Sequence, residues 1–235
     1  MGEIKPHTRV NDILLGPLER PALRWLAAHQ PAWAMPDHMT IIGVVGAVMT
    51  MLGYGLSQID RNFLWMAMLG FVINWYGDSL DGTLARYRHV ERPRYGYYID
   101  HTMDAVCQIM VFVGLGASPY IDMRVALVCL VAYMLLSVLV YVRTYAVGEF
   151  QLSYGKLGPT EVRVIAILLS LFMYFGGVRP AGLTWNLLGR FEITAYDAIV
   201  LGIAALLAYF FTTSWLKQMH QLGEIEPPRK PVKES

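Results

Sequence analysis

Charge is scarce in this 235-residue chain and cysteine is nearly absent. Asp, Glu, Lys and Arg together make up 16% of the residues against 55% hydrophobic. The two cysteines, Cys107 and Cys129, lie in apolar runs, and no Cys/His cluster has zinc spacing, which excludes a zinc module and leaves both as packing residues. A net charge of +1, with no basic tail and no aromatic–basic interleaving, speaks against nucleic acid as a partner. There is no internal repeat and no low-complexity block. The polar N-terminus lacks the short apolar core and cleavage site of a signal peptide.

What is abundant is long apolar sequence. Runs of about twenty apolar residues are the length that spans a bilayer. Six such spans are expected near 38–58, 62–86, 95–117, 122–147, 160–178 and 193–216. Before them, Asn11 to His29 mixes Ile13, Leu14, Leu18, Leu23, Trp25 and Leu26 with Glu19, Arg20 and Arg24. That mixture suits a helix lying in the interface, with a break expected at Pro17 or Pro21. The expected fold is therefore an all-α integral membrane protein of six transmembrane helices preceded by an amphipathic interfacial helix. It divides into a cytoplasmic N-terminus with the interfacial helix at 1–37, a six-span catalytic membrane domain at 38–216 and a cytoplasmic tail at 217–235, whose Glu-Pro-Pro-Arg-Lys-Pro run reads as disordered. Gly43, Gly46, Gly53 and Gly55 mark close helix packing in the first span or a homodimer contact. Trp65, Trp75, Tyr97 and Tyr98 suit interfacial belts.

With six spans, the termini share a side with the second and fourth loops, and 15 of the 19 basic residues fall on it. The other side has Arg61, Arg124, Arg179 and Arg190. The positive side is cytoplasmic. Arg88, Arg92 and Arg94 read as solvated positive-inside residues.

The acids break the apolar pattern at one place. Asp78 and Asp81 end the second span, and Asp100 and Asp104 open the third. Spacings of three and four residues put each pair on one helix face. The polar turn between them (Arg86, Arg88, Arg92, Arg94) makes the two helices antiparallel, so the four carboxylates converge. Asp78 lies roughly 24 Å along its helix from Asn62, near one membrane face. Acids in apolar segments are costly and by default functional. Four carboxylates repel one another, and an oxygen-only donor set favours two hard divalent cations, Mg2+ or Mn2+ first. Paired ions of that kind serve phosphoryl displacement. Gly82 leaves room for a nucleotide, Arg86 is placed to meet a phosphate, and Asp104, the deepest acid, is the expected general base.

The pattern Asp78-x2-Asp81-Gly82-x2-Ala85-Arg86, nine residues, then Gly96-x3-Asp100-x3-Asp104 resembles the signature of the CDP-alcohol phosphotransferase family. The resemblance covers about residues 11 to 216. It implies a phospholipid-synthesis transferase that displaces CMP from a CDP-linked donor with an alcohol acceptor, one of the two substrates being a lipid. It implies two metals on the four aspartates, Asp104 as base, and CDP contacts at Gly82, Ala85 and Arg86 together with the stretch around Asp37. Asp37 stands where the family commonly has Asn, as in some inositol-phosphate-type members. Asp100-His101-x2-Asp104, Gly158-Pro159-Thr160-Glu161 and Pro31-Ala-Trp-Ala-Met-Pro36 are similar to the choline- and ethanolaminephosphotransferase branch. The donor is accordingly CDP-diacylglycerol or a CDP-amino-alcohol. His101, Arg143, Glu161 and Arg163 are candidate acceptor contacts, with topology anchoring or facing a neighbouring helix as the alternatives. The rival class is a cation transporter or channel, since intramembrane acids also line ion paths.

Overall fold

The computed structural model describes residues 8–10, 13–151, 158–178, 184–187 and 191–227. In chain order the elements are β1 (Thr8–Val10), α1 (Gly16–Ala28), α2 (Pro36–Leu56), α3 (Phe63–Tyr87), α4 (Pro93–Gly116), α5 (Met123–Val147), β2 (Glu149–Gln151), α6 (Pro159–Gly176), β3 (Thr184–Leu187), β4 (Phe191–Thr194) and α7 (Ala195–Ile225). The six long helices fall on the six expected apolar segments. Four of them, α2, α5, α6 and α7, are long and apolar enough to cross a membrane. α3 and α4 carry the acids and arginines, and these polar residues dilute their hydropathy. Large apolar side chains such as Ile41, Val131, Val142 and Phe175 face outward, as suits a surface wetted by lipid.

Helix starts follow local chemistry. α2, α4 and α6 open with Pro36, Pro93 and Pro159 in the first turn, where a missing N–H leaves no bond unmade. α1 runs through Pro21 unbroken, because so near a helix start proline removes only one backbone bond. The interfacial-helix region is thus helical over Gly16–Ala28 with no break. Two further differences stand out. The fold is helical but not purely so: β1 pairs in parallel with β2, and β3 pairs antiparallel with β4. α7 also continues to Ile225, past the tail expected from 217; residues 228–235 lie outside the described part.

α2 and α3 approach very closely. A Cβ on Gly46 would sit 2.7 Å from the Gly70 carbonyl oxygen, and one on Gly77 would sit 2.6 Å from Gly43 Cα. Backbones this near allow short side chains to bridge them. The Gly43–Gly46–Gly53 stripe is therefore covered within the chain and is not a contact for a second copy.

The larger core, with Tyr54, Leu64, Phe71, Met173 and Tyr196, is separate from the small cluster of Leu23, Ala27, Met39, Leu80 and Leu84. The second cluster seats α1 against the end of α3 that carries the acids. Trp75 belongs to this seat: its Nε1 donates to Glu19 at 2.8 Å. Glu19 also accepts from Thr160 of α6 at 2.7 Å.

Candidate active site

α3 ends and α4 begins at the same end of the bundle, so the helical repeat turns both acid pairs inward. Asp78, Asp81, Asp100 and Asp104 line one small cavity together with Thr40, Gly43, Val44, Asn74, Met103 and Cys107. All four acids are only partly exposed.

The protein satisfies them sparingly. Asp78 Oδ2 accepts from Arg163 Nη2 of α6 at 2.6 Å. Asp81 Oδ2 accepts from Thr40 Oγ1 of α2 at 2.8 Å. On α4, His101 Nδ1 lies 3.4 Å from Asp100 and 3.9 Å from Asp104. Asp100, His101 and Asp104 can each turn a ligand atom to within 4.8 Å of the others, a cluster able to hold a metal ion. An oxygen-rich donor set with one imidazole at its edge suits a hard divalent cation.

The expected donor contacts sit at the rim. Gly82 directly follows Asp81, and Arg86 Nη1 lies 3.3 Å from where a Gly82 Cβ would be. The Arg86 guanidinium thus covers the bare helix surface that glycine leaves. Arg86 is exposed, and Ala85 is half-buried beside it. Asp37, in the first turn of α2, pairs with Arg92 ahead of α4. An exposed pair of this kind holds weakly, and Arg92 stays exposed to solvent, as expected.

The four candidate acceptor residues separate. Arg163 meets the cavity through Asp78, and its Nη1 is buried without a hydrogen-bond partner. His101 faces a neighbouring helix and also the acids of its own helix. Its nitrogen turns back to the acids, and its ring packs on Tyr97 at 4.2 Å and on Tyr141 of α5 at 5.1 Å. Arg143, two residues beyond Tyr141, is not among the residues lining the cavity. Glu161 is a correction. It is 4% exposed, and its two oxygens accept from Leu15 N at 2.7 Å and Gly158 N at 2.9 Å. With one backbone N–H on each oxygen it fastens the approach to α1 onto the start of α6, the anchoring alternative.

Three cavity residues escaped the sequence reading as site residues. Asn74 lies one turn before Asp78, so the i, i+4 rule would have found it. Thr40 closes the Pro36–Thr40 stretch that the resemblance ties to the donor, and its bond to Asp81 could be named only once α2 was known to touch α3. Cys107, read as packing, follows Asp104 by one turn and lines the cavity, whereas Cys129 is buried in the core as expected. Arg88 is a second correction. Instead of being solvated, it donates to the carbonyls of Gln30, Pro31, Ala32 and Ala34 and so braces the α1–α2 turn.

A family model described as CDP-alcohol phosphatidyltransferase matches residues 33–213. Among curated proteins, the chain is 30% identical over 166 residues to cholinephosphotransferase 1 of Danio rerio, covering 66% of this chain and 42% of that protein. It is 25% identical over 181 residues to cholinephosphotransferase 1 of Mus musculus, covering 73% and 44%. The chain therefore spans about two-fifths of the length of the curated relatives it matches. Among solved structures, its fold is similar to Mycobacterium tuberculosis phosphatidylinositol phosphate synthase with CDP-DAG bound: the TM-score is 0.54 and the identity 21%, over 93% of this chain and 99% of that one.

Proposed function

Because the chain belongs to the CDP-alcohol phosphatidyltransferase family, we propose that it is a membrane enzyme of phospholipid synthesis that transfers a substituted phosphate from a CDP-linked donor to an alcohol, releasing CMP. One observation carries the reading. Four carboxylates from the facing ends of α3 and α4 line a single cavity with few protein cations beside them. Buried ion pairing would call for matching positive charge, and among the described residues Arg163 is the arginine that touches them.

The donor set fits two divalent cations, Mg2+ or Mn2+, on Asp78, Asp81, Asp100 and Asp104. Bound there, they would neutralise the diphosphate and the departing CMP. The residues do the rest. Arg86, over Gly82, meets the diphosphate at the rim, and Ala85 and the Asp37 region border the cytidine. Asp104 takes the proton of the acceptor hydroxyl. A bond then forms from that oxygen to the β-phosphorus, and the bond from β-phosphorus to the CMP oxygen breaks. Arg163 holds Asp78 from outside the cavity lining.

The lining also bears on the donor. Beside the acids it offers Val44, Met103 and Cys107 together with Thr40, Gly43 and Asn74, and no lysine or arginine lines it among the described residues. That favours a lipid acceptor, with a CDP-amino-alcohol as donor. The site faces the cytoplasm, because the loops on its side carry most of the basic residues. The functional unit in this reading is a homodimer, with its contact away from Gly43, Gly46 and Gly53.

The test is CMP release by purified protein with Mg2+ or Mn2+. One arm supplies CDP-choline or CDP-ethanolamine with diacylglycerol, the other CDP-diacylglycerol with pooled polar alcohols. Release in the first arm is expected. Release only in the second reverses the donor assignment, and none in either overturns the activity.

A further inference from the structure

Asp78 differs from the other three acids in being held by a chain of hydrogen bonds that crosses three helices. On α2, the Gly43 carbonyl accepts from Asn74 Nδ2 at 2.9 Å. On α3, Asn74 Oδ1 accepts from Arg163 Nε at 2.9 Å. From α6, Arg163 Nη2 reaches Asp78 Oδ2 at 2.6 Å. Asn74 is 8% exposed, and the Arg163 side chain is 14% exposed, so neither can exchange these bonds for water. The amide nitrogen anchors Asn74, the amide oxygen turns the guanidinium, and the guanidinium takes one oxygen of Asp78. The other oxygen, Oδ1, is not engaged by this relay, and the carboxyl also lies within hydrogen-bond reach of Asp104 in the cavity.

We infer that Asn74 is a positioning residue for the metal site: through Arg163 it fixes the orientation of Asp78, so that one carboxylate oxygen is presented to a divalent cation. This rests on the metal-dependent reading proposed above. The physical basis is general. A carboxylate that ligates a metal is aimed by the partners of its second oxygen, and loss of such a partner lowers metal affinity by about 10–100-fold. The fork of arginine is what makes the relay work, because Nε and Nη2 lie on one rigid plane and can meet Asn74 and Asp78 together. Lysine carries the same charge but cannot span both.

The experiment is an Mn2+ titration followed by electron paramagnetic resonance on purified full-length protein without substrate. It compares wild type, Asn74→Ala, Arg163→Lys and the double variant. Asn74→Ala changes no charge, and Arg163→Lys leaves the Asn74–Gly43 bond in place, so a folding defect in one is not shared by the other. Both single variants are expected to bind Mn2+ about tenfold more weakly. The double variant is expected to be no weaker than the single ones, since both break one relay. Raising Mn2+ should restore CMP release in Asn74→Ala, which a merely structural loss would not allow. Wild-type affinity in either single variant, additive losses, or no recovery at high Mn2+ overturns the relay while leaving the metal reading intact. If wild type itself binds no Mn2+, the metal reading falls and the relay with it.

Discussion

Carboxylates gather at both ends of α4, and their surroundings differ. At the end where α4 begins, Asp78, Asp81, Asp100 and Asp104 face a common cavity and one another. At the end where it leaves for α5, Asp122 and Asp197 are turned into backbone. Asp197 is 2% exposed, with Oδ1 accepting from Asp122 N at 2.8 Å and Oδ2 from Thr194 N at 2.9 Å and Thr194 Oγ1 at 2.8 Å. Asp122 accepts from Arg124 N at 2.8 Å and from Arg124 Nη2 at 2.6 Å. The second corner uses acids as helix caps, where N–H donors and the positive helix start satisfy them. The first leaves them short of donors, and that deficit is what a cation supplies. Four partly exposed acids meet at the first corner and two, one of them buried, at the second, but counting acids and exposure does not say what each corner lacks. The source of their hydrogen bonds does.

The sharpest way to break this contrast is to neutralise one acid at each corner. Asp104→Asn should lower turnover by about 10^3-fold while the thermal midpoint stays level or rises, because a repelling charge has gone. CMP release and a melt of the solubilised protein check both halves, and a large loss of stability would make Asp104 a structural acid. Asp197→Ala should do the reverse. Stranding three donors is expected to cost about 3 kcal/mol of stability, with Mn2+ affinity unchanged. A fall in affinity there would show the two corners to be coupled.

Metal removal sharpens the same line. Mn2+ at about a hundred times its dissociation constant should stabilise the wild-type protein by about 2.7 kcal/mol relative to chelated protein. The same gain is expected in Asp197→Asn and none in Asp100→Asn, measured as melting shifts. The smallest effect concerns pH. The Arg124 side chain beside Asp122 holds its carboxyl below the usual carboxylate range. Its capping contribution is therefore fully present above the unfolded value, near 4, and is lost as pH falls through the lower folded value. Asp122→Asn should flatten that part of the acid-stability curve slightly, Asp122 being partly exposed.

Much of this was legible in the chain. The apolar segments announced the six long helices, and spacings of three and four residues announced that each acid pair shares a face. Glu161 shows where such reading stops. An acid opening a helix in an apolar context suits a ligand contact and a cap equally, and only the positions of Leu15 N and Gly158 N decide between them. Arg88 shows it again. A basic loop residue is expected in solvent, but the α1–α2 turn brings four carbonyls to it. Asn74 could have been found by counting back one turn from Asp78, yet its partners Gly43 and Arg163 are respectively 31 and 89 residues away.

The sequence by itself determined the helices, the faces of the acids and the positive side of the loops. These depend on the 3.6-residue repeat and on local hydropathy, which a chain carries along its own length. Tertiary structure decided which charge meets which. The approach of glycine-bearing α2 and α3 let Thr40 reach Asp81 and Asn74 reach Gly43, and the placing of α6 against α3 gave Asp78 its arginine. Such partnerships depend on which helices become neighbours, and that follows from packing over the whole bundle rather than from any one stretch of it.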